Sequence, residues 1–337
     1  MLRSIMFALS GVVLSISPAV GNPVETFYKQ KNLSLVVGYP PGGGYDAYAR
    51  LMAEHFPRHV PGRPVVTPQY MPGAATLRAA TFVYSVAPQD GTVVSLVGST
   101  LPLNALVYGI GTDAIEITKF NWIGRLGMID STGAVWHTTG IKTIEDVKTR
   151  EVIFGATTPL GGTVTVPLAL NRLTGTKINL ITGYPGSAEQ FLAMERGEIE
   201  GMSVVWTQLS RSQPDWVRKK IVPIFQTAYE RHPDLADVPT IVELAKNDED
   251  RKVLRILASV STVGRPFVAG PNVPTERVAA LRKAFMDMGR NPQFLAAAEK
   301  LRIDIDLLSG EELQAMIAEI SSYPKSLFER TKQIVTP

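Results

Sequence analysis

Hydrophobic positions in this chain fall into short runs separated by turn residues, and the runs alternate in kind. Leu33 to Gly38 predicts a buried strand, Asp46 to Phe56 a helix and Pro64 to Thr67 a strand. Ala74 to Ala87 then predicts a helix, and Thr92 to Val97 a strand behind the turn Pro88-Gln89-Asp90-Gly91. Strand, helix, strand, helix, strand implies a parallel sheet with right-handed crossovers. The rhythm repeats further on, with strands at Glu151 to Ala156, Ile178 to Thr182 and Ile199 to Trp206. Between them lie a helix opening near Thr163 and another over Ser187 to Arg196, stopped by Gly197. Two sheets of one design suggest an α/β fold of two lobes.

The last quarter is more helical. Thr275 can cap a helix whose Val278, Leu281, Phe285 and Met288 share a face, and Asn291 with Pro292 starts another. Ser309-Gly310-Glu311-Glu312 reads as a capping box ahead of Leu313, Met316, Ile317 and Ile320. These are expected as outer helices covering a sheet.

The N-terminus has a different character. A basic start at Arg3, an apolar run from Ile5 to Ile16 and the small residues Ala19 and Gly21 predict a secretory leader spanning residues 1–21. Ser10, Gly11 and Ser15 interrupt the run, which is shorter than the ~20 apolar residues a spanning helix needs. Without the leader, 33 basic residues (34 less Arg3) face 31 acidic ones, a net charge of +2 in a chain with no long single-sign run. Nucleic acid and anionic membranes are therefore poor partners. Cysteine is absent, which excludes disulfides, thiolate metal sites and cysteine nucleophiles.

Candidate chemistry centres on glycine. Gly42, Gly44 and Ala47 fit the dinucleotide spacing G-x-G-x-x-G/A, yet Pro64 to Gln69 ends without the ribose-binding carboxylate, and no Lys-Ser/Thr follows to make a P-loop. What remains is the shared physics: a helix start offers free N–H groups and a positive dipole end, and glycines let an anion approach the backbone. Asp46 is expected as the N-cap of that helix. A second loop, Thr157-Thr158-Pro159-Leu160-Gly161-Gly162-Thr163, again joins a strand to a helix. The two loops are expected to face one another across a cleft and to receive a carboxylate. The four histidines offer no catalytic set: Pro57 would end the helix that His55 and His59 need to share a zinc ion, His137 has no recognisable serine partner, and His232 lies in a turn-like Arg-His-Pro-Asp stretch where a structural role is expected. An exported hydrolase-like enzyme or a nucleotide-binding domain stays open as the competing class.

Tyr39-Pro40-Pro41-Gly42-Gly43-Gly44-Tyr45-Asp46-Ala47-Tyr48-Ala49-Arg50 resembles the opening motif of the tripartite tricarboxylate transporter solute receptors, the Bug or TctC family. So do Met71-Pro72-Gly73-Ala74, Ala87-Pro88-Gln89-Asp90-Gly91-Thr92, Gly183-Tyr184-Pro185-Gly186-Ser187, Arg231-His232-Pro233-Asp234, Asp237-Val238-Pro239-Thr240 and Pro271-Asn272-Val273-Pro274. The resemblance implies a two-lobed periplasmic binding protein of the type II-like class, monomeric and free of cofactor or metal. It would pass a small carboxylate to membrane transporter subunits of the tripartite tricarboxylate type. Lobe one would comprise 22–130 plus 239–337 and lobe two 131–238, pivoting near 121–130 and 226–240. Carried over, it assigns Tyr39, Gly42, Gly43, Gly44 and Asp46 to ligand binding from lobe one. From lobe two it assigns Thr158, Gly161, Gly162, Thr163, Tyr184, Gly186 and Ser187, with Trp206 and Thr207 as specificity residues. The chain departs from the family at Tyr184-Pro185-Gly186, where a lysine is usual, at Tyr70, and in the loop from Thr157 to Thr163. The missing lysine and added aromatics shift the expected ligand toward a larger or more apolar acid, with Trp206 and the tyrosines either as walls or as ordinary packing residues.

Overall fold

A computed structural model of the protein describes residues 22–157 and 161–336. The expected leader and Thr158 lie outside these residues. Strands β1 (Leu33–Val37), β2 (Val66–Tyr70), β3 (Val93–Leu96) and β4 (Asn121–Arg125) begin one sheet. The chain then leaves to build a second from β5 (Ser131–Trp136), β6 (Val152–Gly155), β7 (Ile178–Ile181), β8 (Gly201–Val205) and β9 (Ile221–Thr227). It returns to the first with β10 (Pro266–Ala269) and β11 (Leu308–Ser309).

The orders are β2-β1-β3-β10-β4-β11 and β7-β6-β8-β5-β9. They follow one plan. In each, three strands run parallel with β1 or β6 in the middle, Leu33 opposite Val66 and Val152 opposite Ile178. Each sheet then accepts a reversed strand: β10 runs antiparallel to β3 and β4, and β5 antiparallel to β8 and β9. β5 and β10 each follow a crossing from the other sheet, and β11, antiparallel to β4, runs in the direction of β10. Leu33, Leu35, Val36 and Val37 are all buried, the continuous apolar run expected of a parallel strand covered on both faces.

Elements differ from the sequence reading where tertiary contacts intervene. The helix expected over Ala74 to Ala87 is broken: Ala74, Ala75 and Thr76 hold left-handed φ values of 47°, 49° and 73°, Leu77–Thr81 is helical, and Phe82–Val86 is a π turn. Thr76 explains the break. It is buried, its Oγ1 accepts from the Gly98 amide at 2.9 Å, and a Cβ on Gly38 would come within 2.7 Å of Thr76 Cβ. The second strand begins later than expected, at Val66, and β8 stops at Val205, so that Trp206 opens the Trp206–Ser212 helix. Pro274 rather than Thr275 holds the N-cap of Thr275–Gly289. The Ser309 and Glu312 capping box is present, and Asn291 caps Pro292–Lys300 with Pro292 in the first turn.

One hydrophobic core reaches under both sheets, joining Val36 and Val268 of the first to Val135, Phe154 and Phe225 of the second. Leu254 of the Asp248–Val263 helix and Ile334 of Lys325–Val335 belong to it. Arg172, on the Gly162–Thr174 helix, fastens the C-terminal helix by donating to the carbonyls of Gln333, Ile334 and Thr336 at 2.7–2.8 Å. A cation on the last carbonyls satisfies groups that the helix itself leaves open. Arg172→Ala is expected to cost roughly 0.3–1 kcal/mol, the worth of a cation at a helix C-terminus. It should also hasten hydrogen exchange of amides 325–335; unchanged exchange there would show that the helix is held by packing alone.

Candidate functional site

The loops at the carboxyl ends of β1, β3, β6 and β8 meet where the two sheets approach, the place where open α/β sheets bind ligands. Three helices there begin at glycine. Gly43 (φ −96°), Gly161 (φ −76°) and Gly186 (φ −171°) occupy the N-caps of Gly44–His55, Gly162–Thr174 and Ser187–Glu195. Among the described residues no side chain caps any of the three. Cβ atoms placed on Gly42, Gly43, Gly44 or Gly162 would meet nothing within 4 Å.

Asp46 is not the cap it was expected to be. It is the third residue of its helix, buried, and its carboxylate turns back to accept from the Gly42 amide at 2.8 Å, from Tyr70 Oη at 2.5 Å and from Arg50 Nε at 3.0 Å. Burial alone would raise this carboxyl, but the Tyr70, Gly42 and Arg50 donors outweigh it and hold it below the usual carboxylate range. The first loop is thus closed by its own acid, and the tyrosine at position 70 is part of that closure. Tyr39 stacks on Tyr45 with ring centres 4.1 Å apart. Tyr45 Oη donates to the Gly264 carbonyl at 3.1 Å and accepts from the Ser99 amide at 3.2 Å, so this pair packs between the first glycine loop and the loop after β3.

A cavity of about 260 Å³ lies beside the second loop. Gly162 and Thr163 line it from one side and Ser99, Thr100 and Leu103 from the other, with Ser203 and Val205 of β8 and Thr227 of β9. Among the described residues its wall consists of aliphatic side chains and hydroxyls, with no ionisable side chain. Ser203 Oγ is buried without a hydrogen-bond partner among the described residues. Thr163 Oγ1 accepts from the Thr157 amide at 3.1 Å and pairs with Thr157 Oγ1 at 3.0 Å, which stiffens the loop start.

Gly44 and Thr207 line a second, larger cavity of about 480 Å³ together with Tyr48, Arg211, Arg265 and Asp304. Val205 belongs to both walls. The two glycine loops therefore line neighbouring cavities rather than one. Tyr184, Gly186 and Ser187 line neither, although the Gly183 and Tyr184 amides tie their turn to the 156–157 backbone.

Trp206 is buried and donates from its indole to Asp234 at 3.4 Å, lining a third space with Asp130 and His232. Asp130 lies on the crossing from β4 to β5 and takes both donors of Thr207, amide and hydroxyl, at 3.0 Å. Burial pushes the Asp130 carboxyl up, against the pull of Thr207 and of His232 Nε2 at 3.8 Å. His232 Nδ1 accepts from the Asp234 amide. The Gly44–His55 helix ends ahead of Pro57, so His55 and His59 share no helix face.

Sequence reasoning missed Ser99, Thr100, Ser203, Thr227 and the three arginines that line the larger cavity with Gly44, Arg211, Arg265 and Arg302. Gly98-Ser99-Thr100 follows a parallel strand as Gly38 does, a signal that could have been used. Arg265 precedes a reversed strand and carries no local signal.

Two sheets of one plan, with cavities where their strand ends meet, define a two-lobed α/β solute-binding protein. Residues 130–305 match the family described as "ABC transporter, phosphonate, periplasmic substrate-binding protein", and the chain belongs to that family of periplasmic proteins. It is 23% identical to a UPF0065 protein from the gbd 5′ region of Cupriavidus necator, over 90% of this chain and 88% of that one. Its fold is similar to a TctC solute-binding protein from Polaromonas (TM-score 0.71, 20% identity, 90% of this chain and 99% of the other). It is also similar to a Rhodopseudomonas palustris protein with adipate (TM-score 0.56, 20% identity, 91% and 97%) and to MatC from Rhodopseudomonas palustris with bound malate (TM-score 0.55, 18% identity, 91% and 99%). The resemblance to tricarboxylate-type receptors read from the motifs is met again in these folds.

The lowered Asp46 carboxyl makes loop stability depend on pH. Its contribution is fully present above the unfolded carboxylate pKa and is lost as pH falls through the lowered folded value. Asp46→Asn is expected to cost about 1.5–3 kcal/mol at neutral pH, the worth of hydrogen bonds to a charged group. The gap to the parent chain in urea unfolding should close on acidification; a gap independent of pH would contradict the assignment.

Proposed function

We propose that this protein captures a small organic acid in the cavity beside Gly162 and delivers it to membrane subunits of a tripartite tricarboxylate-type transporter. The observation that carries this is the cavity wall: hydroxyls and a glycine-started helix, with aliphatic side chains and, among the described residues, no cation. Main-chain and hydroxyl donors can hold a single carboxylate, each charge-assisted bond contributing ~1.5–3 kcal/mol. An apolar wall suits a ligand with one acid head and a compact hydrocarbon body, more than an acid charged at both ends. The adipate and malate named for similar folds support the carboxylate class. Residues 1–21 would direct export and be removed, and the mature chain would act as a monomer.

In this reading lobe one is 22–130 plus 239–337 and lobe two 131–238, and the lobes close about 121–130 and 226–240. Ser99 and Thr100 stand on one lobe and Gly162 and Thr163 on the other, so a bound acid touches both and favours the closed form. Contacts confined to one lobe would shift nothing. Tyr39, Gly42, Gly43, Asp46, Gly161, Tyr184, Gly186 and Ser187 then serve the shape of the loops, and Gly162 and Thr163 meet the ligand. Trp206 and Thr207 act through Asp130 at the crossing.

The test is a thermal-shift panel on protein unfolded, dialysed and refolded to remove carried ligand. Monocarboxylates with apolar bodies are expected to raise the melting temperature most, by the equivalent of about 2.7 kcal/mol at a hundredfold excess over Kd, and to be recovered unchanged. A shift confined to phosphonates, the class in the family's description, would overturn the carboxylate reading, and recovery of a product would replace binding by catalysis.

A charge placed at the helix start provides the mutational counterpart. Gly162→Asp has room for its side chain and an ordinary backbone, and an acid in the first turn stabilises a helix. Melting should be unchanged or higher while acid binding falls by about a hundredfold or more, ~2.7 kcal/mol by the affinity scale. Retained affinity would remove Gly162 from the site.

A further inference from the structure

We propose that the ion pair between Arg211 and Asp304 is a latch that holds the two sheets together in the solute-free protein, with Arg265 and Arg302 setting its strength. Arg211 lies near the end of the Trp206–Ser212 helix, which follows β8 of the second sheet. Asp304 lies between the Pro292–Lys300 helix and β11 of the first. The partners are 93 residues apart in sequence and meet in the wall of the larger cavity.

Each half of the latch is anchored on its own side. Tyr48, buried on the helix that opens at the first glycine loop, donates from Oη to the Asp304 carbonyl at 2.5 Å. Two residues on, the Asp306 amide donates to the Leu126 carbonyl at 2.9 Å, which ties the segment to the end of β4. On the other side Thr207 stands one helical turn before Arg211 and shares its face. Its amide and hydroxyl both donate to Asp130 at 3.0 Å. The Trp206–Ser212 helix is thus fixed at its start, beside the crossing, and reaches Asp304 with its far end. Losing the ion pair frees that end and leaves Thr207 as the pivot.

The charges around the pair decide which way the helix swings. Asp304 is the single carboxylate in the cavity wall among the described residues, and Arg265 and Arg302 share that wall. Arg265 is held there, its guanidinium 4.5 Å from the centre of the Tyr48 ring and its Nη1 donating to the Met128 carbonyl at 2.5 Å. With the carboxylate present, Arg211 is drawn in; without it, Arg211 faces two like charges and is driven out. The Arg211 and Asp304 side chains are 39% and 36% exposed, so salt reaches the pair and its worth is small. A weak contact of this kind can open to admit a solute, yet it raises the fraction of molecules ready to bind one. The link to solute rests on the two-lobe reading given above.

The chain has no cysteine, so spin labels at Glu299→Cys and Lys219→Cys, both exposed, report the distance between the two sides. Measured on refolded protein without solute at low salt, the parent should show a short distance and Asp304→Asn a longer one. The exchanged pair, Arg211→Asp with Asp304→Arg, should restore the short distance. Added salt should lengthen the distance in the parent by screening attraction, and shorten it in Asp304→Asn by screening repulsion. Acid affinity should fall roughly two- to fivefold in Arg211→Gln, the range for an exposed ion pair, and further in Asp304→Asn. Equal distances in all three chains, or a salt response of the same sign in the parent and Asp304→Asn, would overturn the latch. An apolar monocarboxylate should draw Asp304→Asn back to the short distance. If the free distances separate as expected and the acid moves nothing, the latch stands and the solute reading falls.

Discussion

The main-chain amides at a helix start have no partner within the helix, and everything at the meeting of these two sheets follows from how those amides are left. Ordinarily a Ser, Thr, Asp or Asn side chain takes one or two of them. Elsewhere in this chain that happens: Asn247, Asn291 and Ser309 each cap their helices. At the strand ends that face the cleft the caps are Gly43, Gly161 and Gly186, with no side chain to offer. Stability is given up at the positions where a ligand oxygen could take the place of the missing cap.

The two principal loops resolve this constraint differently. In the first, Asp46 folds back from inside the helix onto the Gly42 amide, braced by Tyr70 and Arg50, so the loop carries its own anion. In the second no acid is at hand: the Thr157 and Thr163 hydroxyls pair with each other and the helix end at Gly162 opens on a neutral cavity. Burying a carboxylate in such a wall is tolerable only where several donors converge. Arginines gather instead on the far side of Val205, in the neighbouring cavity. A neutral and a cationic space thus lie side by side. A shared core lies beneath both sheets, and Asp130 holds Thr207 at the crossing between them.

Much of this was legible in the residues. Parallel strands read as unbroken apolar runs, glycines marked both loops, and the Ser309 box and the Asn291 start were recognised because their chemistry is local. What failed to show was non-local. The reversed strands β5 and β10 owe their direction to the crossings between sheets, which no periodicity records. Thr76 breaks an otherwise acceptable helix because it must reach Gly98, and Asp46 looked like a cap because its partner Tyr70, distant in sequence, meets it only in the fold. The expectation of two glycine loops in one cleft met a structure in which Tyr39 and Tyr45 pack between the first loop and the loop after β3. Arg265 is placed by the Tyr48 and Tyr45 rings beneath it and by the Met128 carbonyl, contacts that only the fold brings together.

The central claim is that an acid is held by main-chain donors at the start of the Gly162–Thr174 helix, without a cation. The most direct measurement is an amide nitrogen-proton correlation titration of the refolded protein with an apolar monocarboxylate. The account expects the largest saturable shifts at the Gly162, Thr163, Ser99 and Thr100 amides, with the Arg211, Arg265 and Arg302 side-chain signals little moved. Shifts concentrated on those guanidinium groups, with the 162–163 amides unchanged, would contradict it.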